Sequence, residues 1–206
     1  NNRIGNIVNS RQRGIQLVLG IDSSLDDDEA YTMAVDAKGV TINGKTARGV
    51  FWGLMTLDQI LRGSGVKECV DAIPHLTIKD TPRTHVRELM VDPARTFIPF
   101  EELKAFVPEM ARYKLNALHL HLVDDQAWRI EIKKYPQLTQ QASSRWGQDD
   151  LLAPYKGYYT QEQMRELVKF AARYHVEIVP EIEMPGHEVA AISVFPVSYT
   201  HLTLPT

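Results

Sequence analysis

The stretch Asn116-Ala117-Leu118-His119-Leu120-His121-Leu122-Val123-Asp124-Asp125-Gln126-Ala127-Trp128 decides how the rest of the chain is read. Apolar and polar side chains alternate along it until two adjacent carboxylates interrupt the pattern, and an indole follows. Successive side chains of a strand point to opposite faces, so this run predicts a strand that stops on charge. Charged groups at the carboxyl end of a barrel strand are where α/β barrels carry out their chemistry. Two other runs share the same grammar. Residues 86–91 stop at Asp92 with Arg95 just beyond, and residues 176–182 stop at Glu183 with His187 just beyond. Three strands thus deliver acids, an imidazole and a guanidinium to one rim.

Between these strands lie two helical patterns. Residues 100–114 place Phe100, Leu103, Phe106, Val107, Met110 and Tyr113 on one side, although Pro108 removes a backbone donor and is expected to kink the helix. After a long polar loop, 133–159, residues 160–174 place Met164, Leu167, Val168, Ala171 and Tyr174 on one face, with Thr160 and Gln163 as a capping box. The order β-α-β-α-β demands parallel strands, because each crossover returns the chain to the same end of the sheet. Upstream the grammar differs. Strands over 15–21, 30–35 and 40–43, with a turn at Ala37-Lys38-Gly39, predict an antiparallel meander. A helix over 46–62 follows, with Val50, Leu54, Leu57 and Leu61 on its stripe, Phe51 and Ile60 beside them, and Gly63-Ser64-Gly65 as its stop. The expected fold class is α/β: a small α+β domain over 1–82, a boundary near Pro82, and an α/β domain over 83–196. Ala190-Ala191-Ile192 starts a further helix. Residues 197–206 have no helical period and read as a tail foreign to the rest.

A net charge of −3 on 206 residues gives no electrostatic reason to expect nucleic acid or an anionic membrane as partner. No run of about 18 apolar residues is present, so no membrane-spanning helix is expected. Cys69 is the sole cysteine and excludes an internal disulfide. The acidic run Asp26-Asp27-Asp28-Glu29 lacks the alternate spacing and glycine of a calcium loop and reads as a solvated loop. The chain opens on Asn1-Asn2-Arg3, not on Met, which suggests that it begins inside a longer protein. The expected address of that parent is outside the cytoplasm, with any export signal lying outside these residues.

Each rim residue has a plain structural reading beside the functional one. His119 and His121 share one strand face at the spacing of a metal-binding H-x-H pair, and equally suit histidines bonded to neighbouring strands. Arg95 suits a salt bridge to Asp92 as well as a ligand. Trp128 and Trp146 suit a core or the apolar face of a sugar. Carboxylates among aromatic rings fit glycoside cleavage better than a phosphate site, which needs the glycine-rich loops this chain lacks.

Four segments carry a resemblance to a known family. Leu89-Met90-Val91-Asp92-Pro93-Ala94-Arg95, the run from Tyr113 through the opening stretch to Arg129, Gly157-Tyr158-Tyr159-Thr160, and Val179-Pro180-Glu181-Ile182-Glu183-Met184-Pro185-Gly186-His187 resemble the family-20 glycoside hydrolases, the β-N-acetylhexosaminidases. Gly49 to Ile60 is similar to the helix of that family's non-catalytic N-terminal α+β domain. The resemblance spans residues 15–196 and implies a (β/α)₈ TIM barrel of which the first three strands are present. It implies that Arg95 binds hydroxyls of a terminal N-acetylhexosamine, and that Asp124 and His187 form a polar relay beside the general acid. Asp125, Glu183 and Trp128 are further candidates, Glu183 standing where many relatives carry aspartate. The implied mechanism is substrate-assisted and retaining. The acetamido oxygen attacks the anomeric carbon, one aspartate orients the acetamide, and the adjacent glutamate protonates the leaving oxygen. The implied partners are glycans ending in GlcNAc or GalNAc, with no cofactor and no metal. The family's Asp-Glu pair sits in an H-x-G-G-D-E-like motif that does not occur here. The expectation is therefore that these residues alone are inactive and poorly folded. Two other readings stand beside this one: a metal-dependent barrel hydrolase using His119 and His121, and a non-catalytic sugar-binding module.

Overall fold

The computed structural model describes residues 10–12, 15–62, 73–144 and 156–195. Gly63–Gly65, Trp146 and the tail over 197–206 lie outside the described residues. By contacts the chain divides into two units, residues 1–87 with 110–115 and residues 88–109 with 116–206.

The first unit holds β1 (Ser10–Gln12), β2 (Ile15–Ile21), β3 (Tyr31–Asp36), β4 (Gly39–Gly44), α1 (Ala47–Arg62) and β5 (Leu76–Asp80). Its sheet runs β1-β2-β4-β3-β5. The β3–β4 hairpin forms as the turn signal predicts, with Asp36 opposite Gly39. The Asp36 carboxylate accepts the Lys38 amide at 2.7 Å, and Gly39 takes a φ of 138° that side-chain-bearing residues avoid. The expected meander does not form, because β2 pairs in parallel with β4, Leu17 opposite Val40. The 22–30 connection is too long for a tight hairpin. It carries the chain past one strand position, which β4 then fills, burying Val40 and Ile42.

Helix α1 covers this sheet with a different stripe from the one its large side chains mark. Gly49, Trp52, Gly53 and Leu57 are buried, whereas Val50, Leu54 and Leu61 are only partly so. A Cβ on Gly49 would collide with the Ala30 carbonyl, and one on Gly53 with the side chains of Ile42 and Tyr31. The glycines let backbone approach sheet, an effect that a count of apolar side chains misses. The acidic run also departs from expectation at its end. Glu29 is buried and accepts Arg87 at 2.5 Å and Arg48 at 3.4 Å, so it is a paired interior charge and not a solvated one.

The second unit contributes β6 (Glu88–Val91), β7 (Ala117–His121) and β8 (Glu177–Glu181), a parallel sheet with β7 central. His119 stands opposite Met90 on one side and Val179 on the other. Helix α2 (Phe100–Arg112) connects β6 to β7. Between β7 and β8 lie the short α3 (Gln137–Gln140) and then α4 (Gln161–Ala172), while α5 (Val189–Val194) follows β8. This is the β-α-β-α-β order predicted, with strand ends trimmed: Val86 is exposed and lies outside β6, and β7 gives way after His121 to an isolated bridge, Val123 with Trp128. Three parallel strands joined by helical crossovers form a partial (β/α)₈ barrel.

α2 buries Leu103, Val107, Met110 and Ala111 and continues through Pro108. Tyr113, expected on that face, is exposed because the helix has ended at Arg112. α4 buries Leu167 and Ala171, whereas Val168 is half exposed. The capping box forms as read: the Gln163 amide donates to Thr160 Oγ1 at 3.1 Å and the Thr160 amide to Gln163 Oε1 at 2.9 Å. Both crossover helices stop alike. Lys114 and His175 take left-handed φ values of 59° and 55°, and the next amides, of Leu115 and Val176, return to Met110 and Ala171. Among the described residues no helix is long and apolar enough to cross a membrane.

Candidate active site

Each strand of the parallel sheet hands one or two polar side chains to the rim. Past β6, the Asp92 carboxylate accepts the Arg95 amide at 2.9 Å, curling the chain so that the Arg95 guanidinium turns back over the sheet. It meets Asp92 at 2.6 Å through Nη1 and Asp124 at 2.5 Å through Nη2. Past β7, the chain folds back on itself. Asp124 donates its amide to the Ala127 carbonyl and Arg129 donates its own to Leu122. This leaves the Asp124 side chain 1% exposed. Past β8, His187 adopts a left-handed φ of 53°. That conformation costs a non-glycine residue about 1–2 kcal/mol. It brings Nδ1 to 3.1 Å from Asp124 Oδ1, with Nε2 3.6 Å from Glu183. Arg95, Asp124 and His187, read separately from three strand ends, therefore meet on one carboxylate.

Asp124 is engaged on every side. Oδ1 accepts the Asp125 amide at 2.6 Å and His187, and Oδ2 accepts His121 Nε2 at 2.8 Å and Arg95. Burial works against its ionisation. Hydrogen bonds from His121, the Asp125 amide and His187, with the charge of Arg95, outweigh burial and hold the carboxyl below its usual 3.8. His121 shows the converse: burial favours the neutral ring, but Asp124 and Glu181 raise its pKa above 6.5. Glu181 and Glu183 share a hydrogen bond that raises Glu183 above 4.5. Burial opposes ionisation of Glu181, yet Glu183 and His121 hold it below that value.

The remaining candidates fall in different places. Asp125 is exposed, and its carboxylate accepts the Val189 amide at 3.2 Å. Glu183 lies at the rim beside His187. Trp128 is 8% exposed and donates its indole N–H to the Ile130 carbonyl at 2.6 Å, so the core reading holds for its packing.

Three residues of the architecture were not singled out in the sequence. His121 appeared as half of a metal pair or as a histidine bonded to neighbouring strands, without a place in the relay, but its ring joins Asp124 to Glu181. Glu181 itself was legible, since it shares a strand face with Glu183 by the two-residue period. Arg129 gave no signal. Its guanidinium is fully buried and donates to four backbone carbonyls: Pro93 at 2.8 Å, Ser143 at 2.5 Å, Gly157 at 3.0 Å and Ala94 at 3.2 Å. Burial lowers its pKa to about 10, which leaves it charged at neutral pH. The Phe97 ring covers it, with centroid 5.3 Å from the guanidinium carbon. The segment that carries Arg95 and both ends of the α3–α4 connection are thus tied to one side chain.

The H-x-H pair is bonded to neighbouring strands. His119 lies between Glu88 at 3.0 Å and Glu181 at 2.9 Å, and His121 between Glu181 at 2.7 Å and Asp124. Among the described residues, three groupings bring ligand atoms within 4.8 Å of one another, and His119 belongs to none. The two imidazoles therefore do not converge on one ion, which counts against the metal-dependent reading.

Comparison with known proteins bears on the same residues. Residues 85–204 match the family model described as glycosyl hydrolase family 20, catalytic domain, and residues 5–81 match glycosyl hydrolase family 20, domain 2. The chain belongs to glycosyl hydrolase family 20. Among its family-20 relatives, a β-hexosaminidase of Porphyromonas gingivalis is 42% identical over 188 residues, covering 89% of this chain and 24% of that protein. One from Vibrio furnissii is 40% identical over 188 residues, covering 87% of this chain and 30% of its own. A solved β-N-acetylhexosaminidase superposes with a TM-score of 0.80 at 38% identity, over 92% of this chain and 40% of that one. The chain thus spans under a third of the length of either curated relative.

Proposed function

We propose that this chain is the N-terminal part of a β-N-acetylhexosaminidase that removes terminal, non-reducing GlcNAc or GalNAc by a substrate-assisted, retaining mechanism. The observation that carries the reading is the convergence of Arg95, Asp124 and His187 at the carboxyl ends of three adjacent parallel strands. The guanidinium is 47% exposed, so it can turn a donor toward vicinal hydroxyls of an entering sugar. Asp124 stays ionised and fixes the His187 ring, which suits His187 to pass a proton beside a general acid. The acid and the acetamide-orienting group are assigned to a part of the protein other than these residues. The only Asp-Glu pair here is Asp28-Glu29, and Glu29 is occupied by the buried bond to Arg87. The names of the relatives support a substrate ending in an N-acetylhexosamine.

The test uses the complete gene product with a chromogenic N-acetylglucosaminide, before and after chelation. Turnover unaffected by chelator is expected, with Arg95→Ala raising KM by at least tenfold. Absence of turnover would overturn the reading, and loss on chelation would restore the metal-dependent one.

A further inference from the structure

Beneath the rim, acids and imidazoles alternate in an unbroken series. Glu88 of β6 meets His119 Nδ1, His119 Nε2 meets Glu181 of β8, and Glu181 meets His121 Nδ1. His121 Nε2 then meets Asp124, which meets His187, whose Nε2 lies 3.6 Å from Glu183. The upper part thus runs from Glu181 through His121 and Asp124 to His187, with Glu183 beside it. Only Asp124 and His187 have a place in the proposed relay. His121 is 7% exposed and Glu181 25%, so the lower arc lies under the sugar-facing surface.

The two nitrogens of His121 do different work. Each faces a carboxylate oxygen, at 2.7 and 2.8 Å, and an ionised carboxylate only accepts, so both nitrogens donate. The ring stands edge-on to His187, centroids 5.7 Å apart at 85°. Facing it are Glu181 and Glu183 from β8 and its extension, Asp92 and Arg95 from beyond β6, and His119 and Asp124 from its own segment. A ring held by two acids cannot rotate without breaking one bond. Its Nε2–H therefore points permanently at Asp124 Oδ2 and leaves Oδ1 to His187.

Resting on the hexosaminidase reading, we propose that His121 and Glu181 are positioning residues. Glu181 orients the His121 ring, and the ring fixes which oxygen Asp124 presents to His187. Burial opposes the charged ring, and the bonds to Asp124 and Glu181 outweigh it. The consequence is directional: with Oδ2 committed, His187 Nδ1–H has one acceptor, and Nε2 is left toward the rim.

The two ring nitrogens can be tested apart. A glutamine amide reaches where Nε2 lies and an asparagine amide where Nδ1 lies. In the complete gene product, His121→Gln keeps the bond to Asp124, and kcat within about threefold of the parent is expected. His121→Asn keeps only the bond to Glu181 and is expected to lower kcat at least 30-fold with KM within threefold, and to move the acid limb of the pH–kcat profile upward. Glu181→Gln, which still accepts from His121 without the charge, should fall between the two. It also carries the test if an Asn variant fails to fold. Equal kcat and unchanged profiles in His121→Asn and Glu181→Gln would overturn the proposal. Titration of the His187 ring by NMR needs no substrate. A His187 titration shifted in His121→Asn but not in His121→Gln supports the positioning role even if no N-acetylglucosaminide is cleaved, and an unchanged one refutes it. Failure of positioning is thereby separated from failure of the hydrolase reading.

Discussion

Replacing Arg129 with methionine probes how the rim is held together. The change keeps a flexible side chain of similar reach and deletes the guanidinium. Four carbonyls, of Pro93, Ala94, Ser143 and Gly157, then lose this donor inside the protein. The Ser143 carbonyl keeps the Gly157 amide as a donor at 3.2 Å, so three acceptors are orphaned, and at about 1–3 kcal/mol each they amount to at least about 3 kcal/mol. Removing the desolvation penalty of a buried cation returns part of this. The expected net loss is about 2–4 kcal/mol, large for a single substitution. Arg129→Lys offers three donors without the planar fork and should lose about 1–3 kcal/mol, because one ammonium nitrogen cannot reach all the carbonyls that the guanidinium spans with three. The assay is urea unfolding of the complete gene product, paired with steady-state kinetics. The Pro93–Ala94 segment carries Arg95, so a tenfold or greater rise in KM should accompany the loss of stability. A methionine variant within about 1 kcal/mol of the parent, with unchanged KM, would refute the claim that one guanidinium braces the loops.

Two further outcomes follow from the packing and the charges. Gly53→Ala and Gly49→Ala each gain about 1 kcal/mol of helix propensity, yet both should destabilise the protein by about 1–3 kcal/mol through overpacking. Gly49→Ala should lose more, because its obstacle is the Ala30 backbone and not a side chain; a stability gain measured in either would show that α1 can lift off the sheet. For pH, the folded Asp124 carboxyl lies below 3.8, so its stabilisation is complete above that value and drains as the pH falls toward the folded pKa. His121 has the opposite sign: its folded pKa lies above 6.5, so its contribution is complete below 6.5 and is lost as the pH rises through the folded value. Stability of Asp124→Asn followed from pH 6 to 2.5 should fall less steeply than that of the parent, and parallel curves would refute the assignment.

How much of this was legible in the sequence differs by level. The parallel unit was, because the alternating run of β7 and the amphipathic α2 and α4 write their periods plainly, and the capping box at Thr160 marks its helix start by chemistry alone. The strand partners of the first unit were not. A parallel pairing between β2 and β4 depends on where a connection lays the chain down, which no local pattern records. Nor was the buried face of α1, where the deciding residues are glycines whose contribution is an absent side chain. At the site, strand-end position found Arg95, Asp124 and His187. Arg129 escaped because its partners are backbone carbonyls, present at every residue and so invisible as a pattern.

The saturation of Asp124 makes the Arg95 guanidinium and an added proton compete for the same electron pairs. When a sugar hydroxyl draws Arg95 Nη2 away, the carboxylate loses its strongest donor and becomes more basic at the moment its neighbours are called upon to move a proton. Linkage makes the effect mutual: on the proposed reading, acid that protonates the rim must tighten the grip on the sugar by the same factor that the sugar raises the rim's hold on a proton. Affinity measured against pH would thus report the swing of one guanidinium between an internal anion and an external guest.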